Sequence, residues 1–471
     1  MTQKNETKVL VLSLLVTAAL LGAGFWWFTN HSGANPDSSV NSKNEKSASP
    51  ESGKLQERVS LGDKILIGAD ITASKQAGVA AFAKKDFPGA KTQFQESLKQ
   101  NRNEPESLIY LNNANVANSN PLKIAVSVPI GSNLNIAKEI LRGVAQAQNE
   151  VNKSGGINGT PLQVAIANDE NDSEIAKQVA DEFVKDPSFL AVVGHNASNA
   201  SVAAAPVYQK GKLVMISPTS FSNQLSGIGS YIFRSVTNIR FVAEPLSKYA
   251  VQTGNIKNIA ICFDSNAPDN VSFKDEFILA LPADKAKVVN INCDFAADNF
   301  NAKNAVSQAI SNGADSLLLA PHVDRINRAV EVAQANNGRL KLLGSPTLYT
   351  IQTIQQGKSV FNGMVLAVTW HPKAIPGNSF AENAVKLWGG DVNWRSATAY
   401  DATEAIIAGL KQNKTREGLQ QALSNPVFSA NGATGAVQFL PSGDRKGRAI
   451  LVQVQPGQTS KTGFDFVPLK P

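Results

Sequence analysis

The chain has 471 residues, 42% of them hydrophobic, which is too long for one ordinary domain and apolar enough for a large core. Its formal charge is +7, yet Lys and Arg are spread without a basic run or interleaved aromatics, which argues against a nucleic-acid-binding stripe. Four His and two Cys cannot supply the paired short spacings of a metal site, so neither metal nor cofactor is expected.

The N-terminal segment differs in kind from the rest. Val9–Phe28 reads VLVLSLLVTAALLGAGFWWF, a run without a charge that is long enough to cross a hydrocarbon core as a helix. Lys4 and Lys8 precede it, which favours a cytoplasmic N-terminus, and the FWWF end suits the far interface. A cleaved signal peptide competes, with a small-residue site at Gly22-Ala23-Gly24. Residues 1–29 are read as an anchor in the inner or plasma membrane, with the bulk of the chain in the periplasm or extracellular space. Residues 30–65 are rich in Ser, Asn, Lys, Glu, Gly and Pro and read as a flexible linker.

Residues 66–118 read as a short helical hairpin. Gly78 and Ala90 let two antiparallel helices approach, and Phe94 and Leu98 fill the gap. Ala77-Gly78 recurs as Leu111-Asn112 thirty-four residues later, the spacing of a tetratricopeptide repeat. The hairpin is either a docking site for a protein partner or a spacer packed on the next domain.

From Pro121 strands and helices alternate. LKIAVSVPI, PLQVAIAND, FLAVVGH and LVMIS are apolar strand runs separated by helical patterns such as Ile140, Leu141, Val144 and Val151. A second series begins near Ile256 with NIAICFD, KVVNINC, SLLLAP and LKLLG. A third block holds NGMVLAV, helices near 380–388, 397–412 and 416–424, and AVQFL with RAILVQVQPG, read as a hairpin around PSGDRKG. The fold class is α/β, two doubly wound parallel-sheet lobes joined by several hinge strands. Lobe one is assigned to 121–238 and 349–440, and lobe two to 239–348 and 441–471.

In such sheets ligands bind beyond the carboxyl ends of the strands. The loops there offer Ser132 in PIGSNLN, Ala197 and Ser198 in GHNASNAS, and Thr219, Ser220 and Ser222 in SPTSFS. Lobe two offers Asp264 in DSNAPDN and His322, Asp324 and Arg325 in PHVDR. Catalytic equipment is thin. Ser198 has His195 nearby in sequence, but the nucleophile-elbow pattern is absent, and His195 reads as a hydrogen-bonded structural group. The acidic loop DENDS lacks the spacing of a calcium loop. The sequons at Asn196 and Asn199 fall at a helix start facing a cleft, a poor place for a sugar. GHNASNAS instead opens a helix after a buried strand, where free N–H groups favour an anion. SPTSFS adds hydroxyls beside it, and together they make a carboxylate cradle.

The order GGING, VVGHNAS, MISPTS, FRS, then IKNIAICFD, GADSLLLAP, YDA and GATGAVQF resembles the Leu/Ile/Val-binding branch of type I periplasmic binding proteins. The resemblance covers Pro121 to the end. It implies two lobes, three crossings, a ligand in the cleft and no catalysis. It places the carboxylate-binding Ser on Ser198 and a carbonyl that accepts from the ligand ammonium on Ser220. The Thr that binds both ends of the ligand becomes Phe221, with Ser222 beside it. A Tyr falls near Pro268, and the Glu that neutralises the ammonium becomes Arg325, with Asp324 one residue short. The ammonium side is thus altered, and an Arg there favours a second acid group or an amide. The family's lobe-one Cys pair falls on Asn171 and Ala197, so that disulfide is absent. Cys262 and Cys293 lie near the ends of neighbouring strands, either bridged or as two free buried thiols.

The function expected is capture of a small polar solute, amino-acid-like or bearing an amide or carboxylate, for the permease subunits of an ABC-type transporter. A scaffold or regulator of the envelope that binds a protein partner is the alternative; similar architecture occurs in a lipoprotein activator of cell-wall synthases. A signalling receptor is disfavoured, because the cytoplasmic tail is about eight residues.

Overall fold

The computed structural model describes residues 56–469, apart from 70 and 376. The expected anchor 1–29 and the linker up to residue 55 lie outside the described residues. Among the described residues no helix is long and apolar enough to cross a membrane. The last part of the expected linker belongs to the fold: β1 (Val59–Ser60) pairs antiparallel with Ile166 and Ala167, and Ser60 is buried.

Three helices follow, α1 (Ala73–Ala83), α2 (Phe87–Gln100) and α3 (Pro105–Val116). Thr72, Asp86 and Glu104 cap them by accepting from the N–H groups of Lys75, Gly89 and Ser107. The small-residue contact is made: a Cβ on Gly78 would lie 2.7 Å from the Phe94 ring. Lys75 is buried between Glu106 at 2.5 Å and Glu104 at 3.4 Å. The third helix does not stand apart. Asn113 donates to the carbonyls of Leu61 and Val164, each at 2.7 Å, and accepts from Val164 N at 3.0 Å. The segment is thus three helices rather than the expected two-helix hairpin, and the third of them packs on lobe one.

Lobe one contains β2 (Leu122–Val128), α4 (Leu134–Lys153), β3 (Leu162–Asn168), α5 (Ser173–Lys185), β4 (Phe189–Val193), α6 (Ser198–Lys210), β5 (Val214–Ser217) and β6 (Ile232–Arg234). The sheet order is β1-β3-β2-β4-β5-β6, parallel except for β1. Helices cover both faces, so the strands are buried on both sides and read as continuous apolar runs.

The chain then builds lobe two from α7 (Ile239–Gln252), β7 (Asn258–Phe263), α8 (Pro268–Leu279), β8 (Lys287–Val289), α9 (Ala302–Ser311), β9 (Ser316–Ala320), α10 (Ile326–Asn336), β10 (Lys341–Gly344), α11 (Ile351–Gly357) and β11 (Val365–Val368). It returns to lobe one with α12 (Phe380–Trp388), α13 (Trp394–Gln412), α14 (Arg416–Ser424), β12 (Ala430–Gly432) and β13 (Gly435–Val437). It crosses a third time into β14 (Ile450–Pro456) and β15 (Phe464–Pro468). The second sheet runs β15-β14-β11-β10-β9-β7-β8, and β14 alone is reversed, antiparallel to both β11 and β15. Cys262 and Cys293 are bridged, with an S–S distance of 2.05 Å.

Two details differ from the sequence reading. Val365–Val368, expected among the lobe-one residues 349–440, pairs with β10 and β14 in the second sheet. AVQFL and RAILVQVQPG do not form a hairpin with each other: β13 pairs with β12, and β14 pairs with β11 and β15. The stretch between them is a hinge crossing, held by Asp444 to Arg234 at 2.6 Å and by Arg445 to Asp401 at 3.7 Å.

Candidate ligand-binding cleft

The loops beyond β4 and β5 form the lobe-one wall. Gly194 ends β4 against Ser127, whose carbonyl oxygen would lie 3.0 Å from an added Cβ. His195 is fully buried, with Nδ1 2.6 Å from Asp169 Oδ2 and Nε2 3.1 Å from the Tyr208 hydroxyl. Its carbonyl accepts from the Ser201 and Ser217 hydroxyls. His195 is thus a structural lock, facing away from Ser198. The α6 helix begins at Ser198 with no side-chain cap and no acid in its first turn. Its first N–H groups have no intrahelical acceptor, so the turn presents donors and a positive dipole end to the cleft. Ser220 donates to Ser198 Oγ at 2.9 Å, which leaves the Ser198 proton free to point at a ligand. Thr219 donates to the Asn196 carbonyl at 2.7 Å and ties the two loops together.

Lobe two presents charged groups. Arg325 Nη1 lies 2.7 Å from Asp264, which is buried, so the pair is close to neutral. His322 Nδ1 lies 3.3 Å from Asp324. Burial pushes the His322 imidazole down, but the Asp324 hydrogen bond and the nearby Asp269 and Asp264 outweigh it and hold it above its ordinary value. The same hydrogen bond, against burial, holds Asp324 below the usual carboxylate range, with Asn133 of lobe one contributing across the cleft. Asp269 sits in the first turn of α8, and burial pushes its carboxyl up despite His322 nearby.

These walls enclose one cavity of about 400 Å³. Six of the ten expected residues line it: Ala197, Ser198, Thr219, His322, Asp324 and Arg325. Asp264 stands behind Arg325 and fixes it. Ser220 stands behind Ser198, and its carbonyl accepts from Arg234 at 3.3 Å rather than facing the cavity. Ser222 is buried, accepting from Gln224 N with its hydroxyl and from Arg234 with its carbonyl. Ser132 is exposed and does not reach the cavity, because its neighbour Asn133 takes the capping place at α4.

The resemblance marks Phe221 and the vicinity of Pro268 as ligand positions, but sequence reasoning missed Trp394, Arg395, Ala267, Asp269 and Thr347. Phe221, Trp394 and Arg395 line the cavity together with Ala267, Pro268, Asp269 and Thr347. Arg395 is only 5% exposed, and its guanidinium lies 4.5 Å from the Trp394 ring centroid. A signal for it was present. The run WRSATAYDATEAIIAGL is small or apolar nearly all round, which marks a buried helix, so an Arg in its first turn is buried too.

The sequence was compared with known proteins. The family model described as "Periplasmic binding protein" matches residues 121–459. The Leu/Ile/Val-binding protein of Escherichia coli K12 is 22% identical over 341 residues, covering 71% of this chain and 90% of that protein. An amino acid binding protein of Pseudomonas aeruginosa is 29% identical over 137 residues, 29% of this chain and 37% of the relative, so that match spans well under half of the relative. Among solved structures, the branched-chain amino acid transporter substrate binding protein of Streptococcus pneumoniae in complex with isoleucine superposes with a TM-score of 0.65. It is 18% identical and covers 74% of this chain and 100% of its own. With a model match over most of its length and the two-lobed fold, this chain belongs to the periplasmic binding protein family.

Proposed function

We propose that the protein captures a small, polar, amino-acid-like or carboxylate-bearing solute in the cleft and delivers it to an ABC-type transporter, with Val9–Phe28 tethering the lobes to the membrane. The observation that carries this reading is the convergence of Ser198, at an uncapped helix start, with Asp324 and Arg325 of the other lobe on one cavity of about 400 Å³. That volume suits a small molecule. The charges are laid out in opposition: helix-start donors on lobe one, and Asp269 and Asp324 on lobe two. Arg325 replaces an acid, but Asp264 offsets its charge, so the lobe-two wall can still receive an ammonium. This removes one support of the scaffold alternative, the loss of the ammonium side, and leaves the helical segment that suggested it. The binding relatives named above are described by amino acid ligands, which supports the class without fixing the member.

The test is thermal unfolding of the purified full-length protein, in detergent, with amino acids, their amides and dicarboxylates. A ligand at about 100 times its Kd stabilises by about 2.7 kcal/mol, a readily measured shift. No shift with any of these solutes would overturn the reading.

A further inference from the structure

Arg234 and Arg395 are buried and Arg416 is half-buried, and the three differ in how they are used. Arg234 donates to Asp444, to two carbonyls and to Ser226. Arg416 donates to four carbonyls, those of Phe183, Val184, Asp186 and Phe189. Arg395 donates to nothing through its guanidinium: Nε and Nη1 are buried without an acceptor, and no described residue forms an ion pair with it. The nearest acids do not serve it. Glu139 is bonded to Arg142, Asn393 N and Ser396, and Asp269 interacts with it only through space. Burial pushes the guanidinium down to about 10, against the pull of Glu139 and Asp269, as expected of a cation stripped of water and not repaid by a counter-ion.

The position is enforced by packing. The Asn393 side chain caps α13 by accepting from Arg395 N at 2.8 Å. Gly143 of α4 lies against Ser396 and Tyr400, where any Cβ would clash with the Ser396 carbonyl. The Trp394 ring lies under the guanidinium and Phe221 lies beside Trp394, with ring centroids 5.6 Å apart. The cation is thus held on a rigid helix that borders the cavity, and a shift of the guanidinium toward the cavity is needed for Nε or Nη1, sealed in this state, to meet an acceptor there.

We propose that Arg395 receives the acid group of the solute, so that this site selects small carboxylates over their uncharged amides. The inference rests on the solute-binding reading of the cleft. A planar guanidinium with free donors matches a carboxylate in a two-point fork. The uncapped start of α6, with Ser198, lines the same cavity and favours the same charge. An amide can accept through its one oxygen but lacks the charge, so it would leave the Arg395 cation without a counter-ion on binding.

The experiment is calorimetric titration of the full-length protein with three acid and amide pairs: leucine and leucinamide, 4-hydroxybenzoate and 4-hydroxybenzamide, glutarate and glutaramide. At least one acid binds, and its amide binds weaker by on the order of 100-fold. Arg395→Gln weakens that acid by a similar factor and leaves the amide unchanged, and Arg395→Lys restores part of the loss. The ligand-free Arg395→Gln protein unfolds at the same temperature as the wild type or higher, an outcome that a purely structural arginine would not give. An acid and its amide binding alike, or an Arg395→Gln protein that keeps acid affinity, overturns this inference alone. If none of the six binds the wild type, the solute-binding reading falls with it. Should Arg395→Gln fail to fold, Arg395→Lys carries the comparison: it keeps the charge but not the planar fork, so the acid weakens more than its amide, and an unchanged acid-to-amide ratio overturns the inference.

Discussion

Lobe one meets the cleft with α6, whose first turn holds no acid, while lobe two meets it with α8, whose first turn holds Asp269. Behind α6 the support is buried: His195 on Asp169, Ser220 on Ser198, and Arg234 on the carbonyls of Ser220 and Ser222. Behind α8 the support is ionic, and much of it is open to water: Arg325 is about one third exposed, and Asp324 is 61% exposed. One wall therefore offers backbone donors set by the fold, which sequence change cannot easily remove. The other offers side chains that can be exchanged one at a time. The share of anion affinity that comes from the α6 start is coupled to the stability of lobe one, unlike the share assigned to the Arg395 side chain, and choice of the other end of the solute is largely uncoupled from the stability of lobe two.

The largest effect should come from breaking the buried side. Asp444 on the third crossing accepts from Arg234, Asn238, Ser226 and Ser442. Asp444→Ala leaves Arg234 buried without its counter-ion, and a loss of about 3–5 kcal/mol in urea unfolding is expected. A loss below about 1 kcal/mol would mean that the lobe-one wall is not held from behind. The matching change on lobe two is Asp264→Asn. Arg325 can turn partly to water there, so about 1–2 kcal/mol is expected, less than for Asp444→Ala. The freed Arg325 charge should raise the affinity for glutarate relative to leucine. Equal losses for the two variants, or no change in that affinity ratio, would erase the distinction between the walls.

The GHNAS part of the lobe-one wall was legible because its information is local. An apolar run, a glycine and a polar helix start lie within VVGHNAS, and each element dictates the next. The alternating strands were legible for the same reason, since double-sided burial writes itself as unbroken apolar runs. What failed was pairing and convergence. The period-two pattern of AVQFL and RAILVQVQPG states that each is extended but not which strand it joins, and the hinge anchors at Asp444 and Arg445 decide that. Ser222 and Ser132 look like Ser198 in composition, and only the turn of the chain buries one and exposes the other. Arg395 lies almost 200 residues from Ser198 in sequence, and the packing of α13 on α4 brings them to one cavity.

The smallest effect belongs to the most exposed contact, His322 with Asp324, and it concerns pH. His322 is held above its ordinary 6.5 in the folded protein, so its pairing stabilises fully below that value and is lost as pH rises through the raised one. Asp324 is held below its ordinary 3.8, so its share is present above that value and lost as pH falls through the lowered one. Both contributions coexist between about pH 4 and 6.5, where the pair is fully charged. His322→Asn should therefore lower stability most near pH 5 and least near pH 9. Solvent screening of Asp324 keeps the difference below about 1 kcal/mol, or roughly 1–2 °C in Tm for a chain of this size. The Tm difference between wild type and variant, followed from pH 4.5 to 9, reads it directly. A difference that grows with rising pH would reverse the sign and place the His322 proton elsewhere. A difference of several degrees would show that lobe two, like lobe one, relies on its cleft residues for stability.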